Sequence, residues 1–197
     1  MSEVSNSGLT SGHFNIFPIL GFVAEHPVIP TPSSTSQKEF KIIIDNVVKN
    51  IPAKPGWYFW GKFNDMGWWE TIYLGKAGCK KTSSLNTRLY DEVREESIAF
   101  WAYIFGREPM IKQHHSIYNG RYNPTRGLRK SGAQFVVWVG VDTPISEEEI
   151  IKQEEILIKH YRPTHNAARW GKNNKNDHFT DEIETAMEKE LEKIKNG

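Results

Sequence analysis

The chain has 197 residues, of which 38% are hydrophobic and 12% aromatic; this is enough for one domain with a real core, but not for two large ones. The formal net charge of +1 excludes binding of nucleic acid through overall charge alone, so any basic surface must be local. The single cysteine, Cys79, excludes an intramolecular disulfide and a cysteine-rich zinc site.

The sequence does not predict a membrane protein. Its longest apolar run is far shorter than the roughly 20 residues that a membrane-spanning helix needs. The first basic residue is Lys38, so a secretory signal with a basic start is not expected. We therefore expect a cytoplasmic protein with no membrane partner.

Residues 1–35 are predicted to form an irregular N-terminal arm, because Ser and Pro are frequent there. The apolar stretch Phe14–Phe22 leaves two alternatives open: it docks on the domain or on a partner chain, or it belongs to a loose tail. A helix is predicted to begin at Ser36, where Ser36 and Glu39 form a capping box, and to continue to Ile51.

Two aromatic or apolar segments, Gly56–Phe63 and Thr71–Gly75, flank a turn sequence and predict a hairpin. Ala133–Val141 is almost continuously apolar, which is typical of a central strand. Between them, residues 85 to about 105 have helical character. The chain is thus predicted to be α+β, with a small three-stranded, mainly antiparallel sheet (hairpin 56–75 plus central strand 133–141) flanked by helices.

A second capping box, Ser146 to Glu149, predicts a helix that reaches about Tyr161. At 100° per residue, Glu154 falls in the middle of the apolar face of this helix, whereas Glu155 lies off it. Burial of an unpaired carboxylate is costly, so Glu154 is predicted to pair with a cation, bind a metal or border a cleft. A structural ion pair is the alternative to a functional role.

These segments together resemble the GIY-YIG nuclease superfamily over about residues 55–167. Gly56-Trp-Tyr58 and Tyr73-Leu-Gly75 resemble the paired strand motif, and Leu85-Asn-Thr-Arg88-Leu resembles the helix with an invariant arginine. The segment from Glu154 through Pro163 to Asn166 is similar to the final motif. Glu92 departs from the pattern, because some members carry His at that position.

The resemblance implies hydrolysis of phosphodiester bonds. In this reading Glu154 is the ligand of Mg²⁺, for which Mn²⁺ is a substitute, and Arg88 holds the scissile phosphate. Tyr58 acts on the attacking water as a general base, with its pKa lowered by Lys76. The same resemblance assigns two supporting side chains: Tyr73 orients the water or the phosphate, and Asn166 braces the site or contacts phosphate.

Local charge predicts where DNA would bind. The predicted insertion 106–132 and the segment 159–175 are rich in Lys and Arg, whereas residues 177–197 are predicted to form an acidic C-terminal helix. The nuclease domain is accordingly placed at residues 36–176. The candidate DNA contacts are Arg107, Lys112, Arg121, Arg126, Arg129, Lys130, Arg169 and Lys172. A solvated basic loop is the alternative for the insertion.

The sequence therefore predicts a Mg²⁺-dependent endonuclease of double-stranded DNA, of the stand-alone type II restriction kind. Cutting both strands with one site per chain calls for a homodimer or for sequential nicking, of which the homodimer is expected. A restriction role implies a companion DNA methyltransferase. The alternatives are a repair-type or structure-specific nicking nuclease, a nucleic-acid-binding module without catalysis, and an unrelated interaction domain. The last would be supported if Tyr58, Arg88 and Glu154 proved to lie far apart.

Overall fold

The computed structural model describes residues 8–25, 35–93, 132–169 and 177–197. Within these ranges there are four strands and five α-helices, with short 3-10 segments at Lys81–Ser83 and Thr164–Arg169. In chain order the elements are β1 (Leu9–Asn15), α1 (Phe17–Glu25), α2 (Thr35–Val48), β2 (Gly56–Phe63), β3 (Trp69–Ala77), α3 (Leu85–Asp91), β4 (Phe135–Val141), α4 (Glu147–Tyr161) and α5 (His178–Asn196).

The four strands form one antiparallel sheet in the order β1-β4-β2-β3. The α+β class is confirmed, but the predicted three-stranded sheet is wrong, because β1 pairs with β4 from Leu9↔Val141 to Asn15↔Phe135. The local sequence does not predict this strand, because β1 has few apolar side chains and includes Gly12. β1 and β3 are therefore the edge strands of the described sheet.

The N-terminal segment packs into the domain. Phe14, Ile16, Ile19 and Phe22 are all buried, and the rings of Phe22 and Phe40 lie 4.9 Å apart. The prediction of an irregular arm is wrong for residues 9–25, which form β1 and α1. Of the two alternatives for the apolar stretch, docking on the domain is confirmed.

Each face of the sheet carries its own core. On one face, buried side chains of β2 and β4 pack with α1, α2 and α3, and Tyr58 and Trp60 belong to this face. On the other face, Trp57 and Phe59 pack with α4 and α5. Side chains of consecutive strand residues point to opposite faces, which explains why four successive aromatic residues of β2 are all buried.

The predicted capping residue of α4 is confirmed, since the Ser146 hydroxyl accepts a hydrogen bond from the Glu149 N–H at 3.1 Å. α5 begins at His178, and the carboxylate of Asp177 accepts a hydrogen bond from the Thr180 N–H at 3.0 Å. No described helix combines the length and the apolar character needed to cross a membrane.

α5 also holds β1 at the edge of the sheet. The buried carboxylate of Glu190 accepts a hydrogen bond from the Ser11 hydroxyl at 3.0 Å and lies 2.8 Å from His13 Nδ1. Burial acts to raise the pKa of Glu190, but hydrogen bonds from Lys193, His13 and Ser11 outweigh it and lower that pKa. The contact joins residues near the two ends of the chain.

The position of β1 can be tested at Gly12. A Cβ atom at Gly12 would lie 2.3 Å from Cζ2 of Trp138, so Gly12→Ala should lower the free energy of unfolding by about 1–3 kcal/mol. Gly21 in α1 has no atom within 4 Å of such a Cβ, so Gly21→Ala should raise it by up to about 1 kcal/mol. Urea denaturation measures both, and equal stabilities of the two variants would contradict the pairing.

Candidate active site

The central side chain of the candidate site is Tyr58, which is fully buried on β2. It pairs in register with Gly75 on β3, and a Cβ at Gly75 would lie 2.4 Å from the Tyr58 hydroxyl oxygen. The ring of Tyr58 thus crosses over the Gly75 backbone. This close approach explains the glycine of Tyr73-Leu-Gly75, because no other residue leaves room for the ring.

The Tyr58 hydroxyl contacts two residues one turn apart on the helical segment that starts with α3. It donates a hydrogen bond to Glu92 Oε1 at 2.6 Å. Arg88 Nε lies 3.3 Å from the same hydroxyl and 3.2 Å from Glu92 Oε1. Glu92 is 2% exposed and the Arg88 side chain 42%, so the group joins a buried phenol and a buried carboxylate to a partly exposed guanidinium.

These surroundings keep the phenol protonated. Burial raises the pKa of Tyr58 well above its usual value, and the charge of Glu92 and the neighbouring Tyr73 raise it further. Arg88 acts in the opposite direction but does not outweigh them. The expectation that Lys76 lowers the pKa of Tyr58 is therefore wrong: the cation at the hydroxyl is Arg88, and the net shift is upward.

Lys76 belongs to a different group of contacts. It pairs in register with Trp57, so its side chain leaves the face of the sheet opposite to Tyr58. Its ammonium donates to Glu147 Oε1 at 2.7 Å, and the Cys79 N–H donates to Glu147 Oε2 at 3.2 Å. Glu147 is the first residue of α4, where a negative charge also interacts favourably with the helix dipole.

Glu154 lies on α4 two turns after Glu147, about 10.5 Å further along the helix. It is 7% exposed, which confirms that it lies on the inner face of α4, and Glu155 is exposed. Within the described ranges, no three or more His, Cys, Asp or Glu side chains form a cluster that could hold a metal ion. The fit of a metal therefore depends on Glu154 and on the space beside it.

One cavity of about 310 Å³ brings these groups together at the edge of β3. Its volume exceeds the roughly 180 Å³ that six water molecules occupy, so a hydrated divalent ion and a phosphate oxygen fit its size. A single carboxylate with water and phosphate is a common set of magnesium ligands. The lining residues are Tyr58, Tyr73, Lys76, Gly78, Ser83, Arg88, Glu147 and Glu154.

Five of the six predicted catalytic residues therefore line one cavity, and the sixth, Asn166, acts beside it. The amide of Asn166 accepts a hydrogen bond from the Leu74 N–H at 2.9 Å and donates one to the Leu74 carbonyl at 3.0 Å. These two bonds pair the outer edge of β3 with the segment Thr164–Arg169. Of the two roles implied for Asn166, bracing the site agrees with this geometry.

Sequence reasoning missed Glu92 and Glu147. Glu92 was visible only as a departure from the family pattern. Glu147 lies inside the predicted capping box Ser146 to Glu149 and gave no further signal, because its partners Lys76 and Cys79 are distant in the sequence. The contacts of both residues arise from the packing of a helix against a strand, which the local sequence does not reveal.

Most of the predicted DNA contacts lie outside the described residues. This holds for Arg107, Lys112, Arg121, Arg126, Arg129, Lys130 and Lys172, and the described backbone includes Arg169 at the end of its 3-10 segment. The insertion 106–132, apart from residue 132, and the predicted helix beyond Val93 are likewise outside these ranges. The sequence-based prediction of a DNA-binding insertion stays a prediction.

Comparisons with models of protein families, with curated proteins and with solved structures found no match for this chain. The resemblance to GIY-YIG nucleases stays an interpretation of its motifs. The structure adds a geometric observation. Tyr58, Arg88 and Glu154, which were predicted to act together, all line the same cavity. This proximity removes the expected support for an unrelated interaction domain.

Asn166→Ala should lower the free energy of unfolding by about 1–3 kcal/mol, because it leaves the buried N–H and C=O of Leu74 without their partners. Thr164→Ala is the matched control, since Thr164 is exposed in the same 3-10 segment. Urea denaturation of both variants provides the measurement. A loss for Thr164→Ala as large as that for Asn166→Ala would rule out the bracing role.

Proposed function

We propose that this protein is a Mg²⁺-dependent endonuclease that hydrolyses phosphodiester bonds in double-stranded DNA, and that it is a sequence-specific restriction-type enzyme like those of the GIY-YIG superfamily. One observation carries the proposal. Two tyrosines, a lysine, an arginine and a buried glutamate, selected from the sequence for this chemistry, line a single cavity although they come from β2, β3, α3 and α4.

Two cationic side chains suit the cavity to a phosphate. Arg88 has a planar guanidinium that can hold two phosphate oxygens and stabilise the charge that develops during hydrolysis. Lys76 adds a second positive charge to the lining of the cavity. In the absence of substrate, each cation already contacts a carboxylate: Arg88 lies 3.2 Å from Glu92 and Lys76 lies 2.7 Å from Glu147.

Glu154 would hold the metal, with Mn²⁺ able to replace Mg²⁺, and the bound ion would stabilise negative charge on the phosphate. The buried position of Glu154 beside Tyr58, Tyr73 and Arg88 supports this role.

The protonated state of Tyr58 determines how water is activated. A water oxygen attacks phosphorus, its proton passes to the Tyr58 oxygen, and the phenol proton passes at the same time to Glu92. The 2.6 Å hydrogen bond from Tyr58 to Glu92 supplies the second half of this transfer. Tyr73, whose ring centre lies 6.4 Å from that of Tyr58, borders the space for the water, and the leaving oxygen takes a proton from solvent.

Sequence recognition is assigned to the basic insertion 106–132, with Arg121 and Arg126 among the side chains suited to read base edges. Arg169 and Lys172 would add phosphate contacts. A homodimer would provide two sites for two strands, and a companion DNA methyltransferase would protect the host sites. These partners follow from the proposed restriction role.

Glu154→Ala should abolish cleavage of long, sequence-diverse duplex DNA in Mg²⁺, with a rate loss of about 100-fold or more. Glu155→Ala is the matched control, because Glu155 is the exposed neighbour on the same helix. Gel electrophoresis of the products is the measurement. Equal activity of the two variants would show that Glu154 is not part of the site.

The products also separate the alternatives. Discrete bands that disappear in Glu154→Ala support a sequence-specific enzyme. A smear or nicked circles that disappear in the same variant indicate a repair-type or structure-specific nuclease. DNA binding without cleavage in any divalent metal indicates a binding module.

Tyr58→Phe and Glu92→Gln should each slow cleavage by about 10²- to 10⁴-fold, because each interrupts the proton transfer. The pKa of Tyr58 lies above its usual range, so a phenolate mechanism would make the rate rise tenfold per pH unit between about pH 7 and 9. Transfer to Glu92 predicts no such Tyr58-dependent rise. A tenfold rise per pH unit that vanishes in Tyr58→Phe, with full activity of Glu92→Gln, would contradict it.

A further inference from the structure

The carboxylate of Glu147 occupies a small anion-binding position in the wall of the cavity, which we call the carboxylate seat. The seat is formed by the Lys76 ammonium, the Cys79 N–H and the Gly78 backbone. The ammonium donates to one carboxylate oxygen at 2.7 Å and the peptide N–H donates to the other at 3.2 Å. The Lys76 ammonium and the Cys79 N–H therefore both donate to the Glu147 carboxylate.

Gly78 keeps the seat open. A Cβ at this position would lie 2.8 Å from Glu147 Oε2 and 2.9 Å from the Ser83 hydroxyl oxygen, so a side chain would fill the seat. The loop that follows is closed by a hydrogen bond from the Gly78 N–H to the Ser83 carbonyl at 2.8 Å. The backbone is thus ordered with the next N–H, that of Cys79, directed at the anion.

The occupant of the seat is held only weakly. The side chain of Glu147 is 50% exposed and that of Lys76 is 27% exposed, and ion pairs of this kind contribute little net free energy. The hydrogen bonds from Lys76 and Cys79 lower the pKa of Glu147, so it stays an anion at neutral pH. An ammonium and a peptide N–H also match the donors that proteins use for phosphate oxygens.

We propose that the carboxylate seat is a phosphate subsite, in which a backbone phosphodiester of DNA next to the scissile phosphate replaces the carboxylate of Glu147. This inference rests on the proposed nuclease function and deepens it. Glu147 acts as an internal stand-in for phosphate: it keeps Lys76 and the Cys79 N–H paired without substrate and swings into solvent when DNA binds.

The competition has a measurable consequence. If the seat is free of Glu147 for only a fraction of the time, the apparent affinity for a phosphodiester is the affinity of the free seat multiplied by that fraction. The weakness of an exposed ion pair sets the expected effect at about 2- to 5-fold. Removal of Glu147 should therefore tighten phosphodiester binding by that factor.

The seat can be observed directly, because Cys79 is the single cysteine of the chain. Protein labelled with ¹⁵N only in cysteine gives one backbone amide signal, and its N–H is a donor of the seat. The probe is dimethyl phosphate, the simplest phosphodiester, titrated without divalent metal while the Cys79 signal is followed by NMR. Inorganic phosphate is titrated in parallel.

In Glu147→Ala, the Cys79 signal should shift at about 2- to 5-fold lower dimethyl phosphate concentration than in the unmodified protein. Glu148→Ala, which removes the same charge from an exposed neighbour in the first turn of α4, is the matched control and should titrate like the unmodified protein. Lys76→Met combined with Glu147→Ala should lose the response, because the ammonium is gone.

Three outcomes would overturn the inference: no shift of Cys79 in Glu147→Ala, an equal gain in Glu148→Ala, or a response that survives loss of Lys76. A response to inorganic phosphate alone would overturn the assignment to a phosphodiester. The titration uses neither metal nor cleavage, so its failure is distinct from the failure of the nuclease proposal, which the Glu154→Ala digestion tests.

Discussion

The contact between the Tyr58 ring and the Gly75 backbone is the constraint on which the arrangement of the site depends. Because the ring lies across β3, its hydroxyl reaches the helical segment that starts with α3, where Glu92 and Arg88 contact it. The edge strand β3 carries no side chain at this point, because residue 75 is glycine. Groups from both faces of the sheet can meet there, which a strand with a full side chain at Gly75 would prevent.

The cavity balances opposite charges. Arg88 and Lys76 supply two positive charges to its lining, Glu147 and Glu154 supply carboxylates, and the buried Glu92 contacts Arg88. A cavity with cations alone would repel a metal ion, and one with carboxylates alone would repel phosphate. The mixture suits a ligand that brings a cation and an anion together, as a metal-bound phosphate does.

Local sequence patterns were sufficient for the elements that are regular on their own. Periodicity located Glu154 on the inner face of α4, and the Ser146 cap fixed where that helix begins. Contacts between distant segments were beyond such patterns: β1 is a strand only because β4 pairs with it. The upward pKa shift of Tyr58 could not be predicted either, because it depends on burial and on Glu92, whose contact with Tyr58 was not evident locally.

The position of β1 has a consequence for the folding rate of the protein. This strand completes the sheet only after residues 135–141 exist, and Glu190, which bonds to Ser11 and His13, lies almost at the other end of the chain. The chain must lose the conformational entropy of closing so long a loop before the contacts of β1 can stabilise the fold. We therefore expect β1 to join the sheet late and folding to be slow. During synthesis on the ribosome, β1 would therefore remain without its partner strand until residues 135–141 have emerged.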